Sequence, residues 1–309
     1  MKMAKVFIDG SEGTTGLRIR ERMAGRTDVE MIVLPEKLRK DTAARKDALN
    51  QADIAFLCLP DEASVEAVAM VENPNTVIID TSTAHRTNPA WVYGFPELKG
   101  QREKIRVSKR IANPGCHSSG AIALVRPLVQ AGLLDRSALL SIFSLTGYSG
   151  GGKSMIAEYE AETRDPLYEA PRMYAITQMH KHLPEIKNMC GLATTPVLCP
   201  IIAPFYSGME VTIPLFAENV NGSVKDIAEI YSDLYQQGLV RFVPKADENG
   251  FLSAGILSKK DNMQLTIAGN EERILLVARF DNLGKGASGA AIQNMNLVLG
   301  IEETTGLTL

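Results

Sequence analysis

Lys5-Val6-Phe7-Ile8-Asp9-Gly10-Ser11-Glu12-Gly13-Thr14-Thr15-Gly16 is the stretch whose reading decides the first half of the chain. Its first five residues read as a short buried strand. Glycines at 10, 13 and 16 follow in a GxxGxxG pattern, and a helical stretch runs on from Leu17 to Met23. Glycine allows a tight turn and lets backbone N–H groups approach a pyrophosphate at a helix N-terminus. The pattern differs from the commoner GxGxxG, and a plain βα turn would use the same residues. Strand–loop–helix context favours a dinucleotide-binding loop with Gly10, Gly13, Thr14, Thr15 and Gly16 in contact with the ligand.

Further strands recur at βα spacing. They are Glu30–Leu34, Asp53–Leu59 and Thr76–Asp80, with Ile105–Val107 and Arg110–Ala112 near a fifth. Helical segments are expected over Thr42–Asn50 and Ala63–Val71. Continuous β-branched runs separated by helices predict a parallel sheet covered on both faces. The end of the second strand normally decides the cofactor: an acid there binds a ribose 2′-hydroxyl, and basic residues accept a 2′-phosphate. Here the run is Pro35-Glu36-Lys37-Leu38-Arg39-Lys40. Glu36 argues for NAD; Lys37, Arg39 and Lys40 argue for NADP, and a solvated loop is the third reading. Three cations outweigh one acid, so Arg39 and Lys40 are expected to hold a 2′-phosphate.

Cys116 lies in Ile111-Ala112-Asn113-Pro114-Gly115-Cys116-His117-Ser118-Ser119-Gly120. A strand-like run ends at Asn113, Pro-Gly turns the chain, and a helical pattern follows. A thiol at a helix start meets free N–H groups and the positive end of the dipole, which favour a thiolate. The same N–H groups could hold an oxyanion beside the sulfur. The other reading is a buried cysteine packing as a small hydrophobe.

Beyond this helix the pattern changes. Leu139–Leu145 is an apolar strand leading into Thr146-Gly147-Tyr148-Ser149-Gly150-Gly151-Gly152-Lys153-Ser154. The glycines suit close approach of backbone to a ligand, or a hinge. The spacing also fits GxxxxGK[ST], but a nucleotide fold already occupies the first third of the chain. His180 and His182, in Met179-His180-Lys181-His182-Leu183-Pro184-Glu185, are half of the four histidines. An HxH pair can bind metal, but no third ligand lies nearby in sequence, so acid–base chemistry beside Cys116 or a structural pair remain. Strands then dominate at Val197–Ile202, Gly208–Phe216, Leu239–Val243, Gln264–Ala268 and Ile274–Phe280, the last two joined by a hairpin turn at Gly269–Glu272. These predict an α/β protein: a Rossmann-like dinucleotide-binding domain plus an α+β catalytic domain with a largely antiparallel or mixed sheet. The first domain is expected over 1–115, completed by a C-terminal helix in 285–309; the catalytic and oligomerisation domain is expected over 116–284.

The 309 residues are 45% hydrophobic and 22% charged, enough for a sizeable core. A net charge of −3 argues against a nucleic-acid surface. No apolar run approaches the ~18 residues that would argue for a membrane span. The first residues read as leading straight into a strand, so no signal peptide is expected, and Cys58, Cys116, Cys190 and Cys199 form no CxxC pair. No metal site or disulfide framework is expected, and a reducing cytoplasm is the expected location.

The chain resembles the N-acetyl-gamma-glutamyl-phosphate reductases, relatives of the aspartate-semialdehyde dehydrogenases, and looks like the shorter of their two classes. The resemblance covers nearly the whole length. It rests on Gly10–Gly16, Asp80-Thr81-Ser82 with Arg86, Asn113-Pro114-Gly115-Cys116, Gly147–Gly152, His180-Lys181-His182-Leu183-Pro184-Glu185 and Asn282–Asn294. It implies NADPH-dependent reduction of an acyl phosphate to an aldehyde through a Cys116 thioester, in arginine biosynthesis, with His180 as the acid–base group. It implies a substrate site of Arg86, which would meet a carboxylate, Ser82, Tyr174, His182, Glu185 and Ser149. Gly150 and Asn282 would join the cofactor site. It also implies a homo-oligomer, a dimer or tetramer. His117 departs from the longer class, which tends to have an aromatic there. The alternatives are a reductase of another acyl phosphate or a non-catalytic dinucleotide sensor.

Overall fold

The structure, a computed structural model, describes residues 3–309; Met1 and Lys2, and what was read from them, lie outside the described residues. The chain divides into two compact units, Met1–Pro114 with Ala287–Leu307, and Gly115–Gly286 with Thr308–Leu309.

The first unit alternates strand and helix: β1 (Ala4–Asp9), α1 (Thr14–Met23), β2 (Val29–Ile32), α2 (Thr42–Gln51), β3 (Ile54–Leu57), α3 (Asp61–Ala69), β4 (Val77–Asp80), β5 (Val92–Tyr93), α4 (Gln101–Val107) and β6 (Arg110–Ala112). The six strands form one parallel sheet in the order β2-β1-β3-β4-β6-β5. Side chains alternate across it. Val6, Ile8, Ile54, Phe56, Val77 and Ile79 enter one core with Ile19 and Met23 of α1 and Ile105 of α4. Phe7, Ala55, Leu57 and Ile78 enter the other with Ala48 and Leu49 of α2 and Ala67 of α3. Burial on both faces is why these strands read as unbroken apolar runs. Each fully buried Ile or Phe contributes about 1.5–3 kcal/mol. Because β1 lies between β2 and β3, the winding reverses there, and the crevice beyond the carboxyl ends of such strands is where open α/β sheets bind ligands.

One expected strand is a helix. Ile105–Val107 belongs to α4, where Ile105 is fully buried and Arg102, Glu103 and Arg106 stay at least partly exposed. Burial of a single residue against the sheet outweighs the strand propensity of Ile and Val. β5, only two residues long, leaves no periodic trace in the sequence.

The second unit contains α5 (Cys116–Gln130), β7 (Ser141–Gly147), α6 (Gly152–Glu160), β8 (Arg172–Met173), α7 (Leu183–Cys190), β9 (Val197–Ala203), β10 (Met209–Phe216), α8 (Val224–Leu234), β11 (Val240–Phe242), β12 (Met263–Gly269) and β13 (Arg273–Phe280). Its sheet has the order β11-β12-β13-β10-β7-β9-β8. β7 runs parallel to β9 and β11 to β12; the other pairs are antiparallel. α5 presses closely on this sheet: a Cβ on Gly120 would lie 2.6 Å from Val211 Cγ2 and 2.9 Å from Phe280 Cε1. Pro127 sits inside α5 and has no N–H to give the Ala123 carbonyl. The Tyr235 hydroxyl fills that place, donating to Ala123 O at 2.6 Å, and Tyr231 donates to Leu124 O at 2.5 Å.

A π-helical turn over Gly284–Ser288 leads into α9 (Gly289–Leu299). α9 belongs to the first unit, where Ala291, Ile292, Met295 and Leu297 join the core that holds α1 and α4. Arg26 Nη1 donates to Asn296 Oδ1 at 2.8 Å and holds the helix there. Among the described residues no helix is long and apolar enough to cross a membrane.

Candidate active site

In the first unit the glycine loop turns off β1 against the end of β3. Gly10 has φ +84°, and a Cβ on it would lie 2.3 Å from the Cys58 carbonyl oxygen. A Cβ on Gly16 would lie 2.4 Å from Gly10 O. Both positions therefore require glycine, whereas Gly13 has ordinary contact distances, 3.4 Å to Gly10 O. No side chain caps the N-terminus of α1. The buried Thr14 Oγ1 at its start has no hydrogen-bond partner among the described residues; Thr15 follows it in the same first turn. A cradle closed to side chains, an uncapped helix start and an unsatisfied hydroxyl fit the phosphates of a dinucleotide.

A cavity of ≈ 560 Å³ opens beside the loop, lined by Asp9, Gly10, Ser11, Glu12, Glu36, Lys37, Arg39, Lys40 and Arg45 among others. Arg39 and Lys40 thus sit beside the glycine loop, as does Glu36. Two pairs were not foreseen from the sequence. Arg39 Nη1 lies 3.1 Å from Glu12 Oε1, and Arg45 holds the buried Asp9 carboxylate through Nη2 at 2.9 Å. Glu12 lies between two of the loop glycines, and that position is the signal that could have found it.

Ser82 and Arg86 lie just beyond β4. The Ser82 hydroxyl donates to Asp80 Oδ2 at 2.7 Å, and its N–H donates to Asp80 Oδ1. Asp80, fully buried, also accepts from Ser64 and lies 2.6 Å from His85 Nδ1. Arg86 donates through Nε to Asn113 O at 2.9 Å and through Nη2 to Thr81 O at 2.8 Å. These carbonyls fix the guanidinium at the sheet's carboxyl edge.

In the second unit Cys116 is the first residue of α5, and no side chain caps its N-terminus. Gly286 comes so close that a Cβ on it would lie 3.1 Å from Cys116 Cβ. The HxHLPE segment leads into α7, which begins at Leu183. Glu185, 1% exposed, accepts the Gly115 N–H at 2.9 Å and the Ser118 hydroxyl at 2.8 Å, so it ties the start of α7 to the start of α5. Pro184 is tolerated because it occupies the first turn of α7, where no N–H is needed.

Three of the four histidines gather here. The rings of His117 and His180 are 5.2 Å apart, His180 and His182 4.7 Å, and His117 and His182 5.6 Å. Tyr174 OH lies 2.6 Å from His117 Nε2 and 3.5 Å from His180 Nε2. His117 Nδ1 lies 2.7 Å from Ser144 Oγ, and His180 Nδ1 accepts the His182 N–H at 3.1 Å. Burial first, then the neighbouring His180, pushes the His117 pKa down to about 3, so this ring is neutral. Burial and then Lys181 lower the His180 pKa, with Glu185 opposing. Burial, then the negative charge available to Cys116, raises the Tyr174 pKa. His117 and Ser144 were not expected in this cluster; a third histidine directly after the cysteine was the available signal for the former.

Ser149 and Asn282 form a second cluster, with Gly150 beside them. Asn282 Nδ2 donates to Ser149 Oγ at 3.0 Å while its Oδ1 accepts the Gly208 N–H. A Cβ on Gly150 would sit 3.5 Å from Asn282 Nδ2. The three successive glycines form a short 3-10 turn and the start of α6.

Residues 11–108 match the family model described as semialdehyde dehydrogenase, NAD binding domain, and residues 116–282 match semialdehyde dehydrogenase, dimerisation domain. The chain is 49% identical over 306 residues to an N-acetyl-gamma-glutamyl-phosphate reductase of Rhizobium meliloti, covering 96% of this chain and 98% of that protein. It is 48% identical over 308 residues to the protein of that name in Brucella ovis, covering 96% and 99%. Among solved structures, aspartate semialdehyde dehydrogenase II of Vibrio cholerae aligns with a TM-score of 0.75 at 16% identity, over 97% of this chain and 99% of that one. That likeness concerns the fold. The domain models support a nicotinamide dinucleotide cofactor.

Proposed function

The chain belongs to the N-acetyl-gamma-glutamyl-phosphate reductase family, and from that premise we propose how its residues reduce N-acetyl-gamma-glutamyl phosphate to the 5-semialdehyde and phosphate. One observation carries the reading: a thiol at an uncapped helix start, with His180, Tyr174 and Glu185 gathered at the same helix end.

Cys116 is the nucleophile. His180 takes the thiol proton, and the thiolate attacks the acyl carbon. N–H groups at the start of α5 stabilise the oxyanion. The acyl–oxygen bond breaks, the His180 proton passes to the departing phosphate, and a Cys116 thioester remains. When bound, a nicotinamide dinucleotide supplies the hydride that takes this thioester to a thiohemiacetal. The thiohemiacetal oxyanion expels the Cys116 thiolate, the aldehyde leaves, and a solvent proton restores the thiol. Glu185 ties the start of α5, which carries Cys116, to the start of α7, which directly follows the His180–His182 segment. Arg86 meets a substrate carboxylate, a role suited to its planar guanidinium. Ser82 and Asn282 position the chain that contacts the ligands, since their polar atoms are engaged in the hydrogen bonds described above. His182, Ser149 and Gly150 complete the surroundings of the reactants.

NADPH is the proposed form of the cofactor. Lys37, Arg39 and Lys40 line the cavity beside the glycine loop, and a 2′-phosphate there gains charge-assisted hydrogen bonds. Replacing Arg39 and Lys40 together by Ala is expected to weaken NADPH binding at least tenfold and leave NADH nearly unchanged. Fluorescence titration of both cofactors checks this, and equal weakening counts against the assignment. A homo-oligomer in the cytoplasm is the proposed working form, supported by the match to a dimerisation domain for the first part.

The test of the reaction is its reverse. With N-acetylglutamate 5-semialdehyde, reduction of NADP should require inorganic phosphate. Equal turnover without phosphate, or turnover of aspartate semialdehyde but not of this substrate, would overturn the reading.

A further inference from the structure

We infer that His117 is a positioning residue for the acid–base histidine, acting through the Tyr174 hydroxyl. The inference rests on the reading of His180 as the acid–base group. Hydrogen-bond directions carry it. His180 Nδ1 accepts the backbone N–H of His182 at 3.1 Å, so the neutral ring carries its proton on Nε2. Nε2–H then faces Tyr174 OH at 3.5 Å, which must act there as the acceptor. The tyrosine proton is then assigned to the other and shorter contact, His117 Nε2 at 2.6 Å, which gives the hydroxyl an acceptor. With Nε2 accepting, neutral His117 carries its own proton on Nδ1, which lies 2.7 Å from Ser144 Oγ. In this arrangement each of the four contacts pairs one donor with one acceptor.

The consequence concerns the charged state. When His180 takes up a proton it does so on Nδ1, which releases the His182 N–H, and the positive ring still donates Nε2–H to an oxygen whose own hydrogen is held away by His117. A donor in that place would repel the ring. His117 suits the task because it is buried and stays neutral across the working pH range. The separation is 3.5 Å, and catalytic hydrogen bonds are often long in the absence of substrate. The charged and titratable groups facing this chain are Cys116, Lys181, His182 and Glu185.

Two measurements test the inference. With only four histidines, nitrogen-15 histidine spectra of the intact protein resolve each tautomer. His117 should carry its proton on Nδ1 and His180 on Nε2; His117 with its proton on Nε2 overturns the proposal. The second is a double-mutant cycle on kcat/KM with its pH profile. Tyr174→Phe and His117→Phe should each lower kcat/KM by about 10–100-fold and move its acid limb to lower pH, because the charged His180 ring loses its acceptor. The double variant should lose no more than Tyr174→Phe alone, since the two act as one unit. His117→Gln, whose amide oxygen can accept from Tyr174, should restore the limb. Additive losses, or an unmoved limb with all variants folded, overturn the role of His117. Retention of full activity by His180→Ala would instead remove the underlying assignment, so the two failures are told apart.

Discussion

Glu185 joins the two sequence motifs of the second unit, and its removal has a calculable effect. Its carboxylate accepts the Gly115 N–H and the Ser118 hydroxyl, and both donors belong to buried residues. Glu185→Ala leaves the two without that acceptor. A buried donor left unsatisfied costs about 1–3 kcal/mol, so the variant should lose about 2–6 kcal/mol in the second unit. Glu185→Gln keeps a carbonyl for the Gly115 N–H, and the Ser118 hydroxyl can turn to accept the new amide. It should lose about 0.5–1.5 kcal/mol, one ordinary hydrogen bond. Amide hydrogen exchange over residues 115–120 reads the local cost. Fluorescence of Trp91, the one tryptophan, reports on the first unit and serves as the control. An alanine variant as well protected as the parent over 115–120 would refute the tie between the two helices.

Alkylation at neutral pH should label Cys116 before Cys58 and Cys190, because burial pushes the Cys58 pKa up to about 12 and raises that of Cys190; peptide mass spectrometry decides, and earlier labelling of Cys58 counts against it. Gly10→Ala should abolish detectable dinucleotide binding in a titration, since the Cβ meets a carbonyl oxygen at 2.3 Å and φ is +84°; retained affinity would mean that the loop does not approach the ligand. His117 gives stability a pH dependence of defined sign: the unfolded ring takes a proton below its ordinary value of 6.5, whereas the folded ring resists until about 3. Its stabilising share is therefore whole above pH 6.5 and falls by about 1.4 kcal/mol per pH unit down to pH 3. Denaturant midpoints of His117→Gln should fall less steeply over that window than those of the parent.

The parallel sheet was legible because both its faces are buried, so β1, β3 and β4 appear as unbroken apolar runs. The Gly10 turn was legible because the backbone there admits no other residue. α4 was misread at Ile105–Val107, where one buried side chain outweighs β propensity. α7 went unread because Pro184 looks like a breaker, although proline suits the first turn of a helix. A histidine beside Cys116 was expected from its chemistry and from the resemblance, but the detailed arrangement depends on distant partners. Glu185 meets Gly115 across 70 positions, and His117 meets Tyr174 across 57. No local pattern records such pairings; the fold creates them. Ser82 was expected at the substrate from the resemblance, and its hydroxyl donates to Asp80.

The central claim is a thioester on Cys116. Mixing the protein with N-acetyl-gamma-glutamyl phosphate, without reduced cofactor, and quenching in acid should give a protein heavier by one N-acetylglutamyl group. That group should map to the peptide containing Cys116, come off with hydroxylamine, and be absent from Cys116→Ser. The acyl group on another residue, or substantial turnover by Cys116→Ala, would contradict the account.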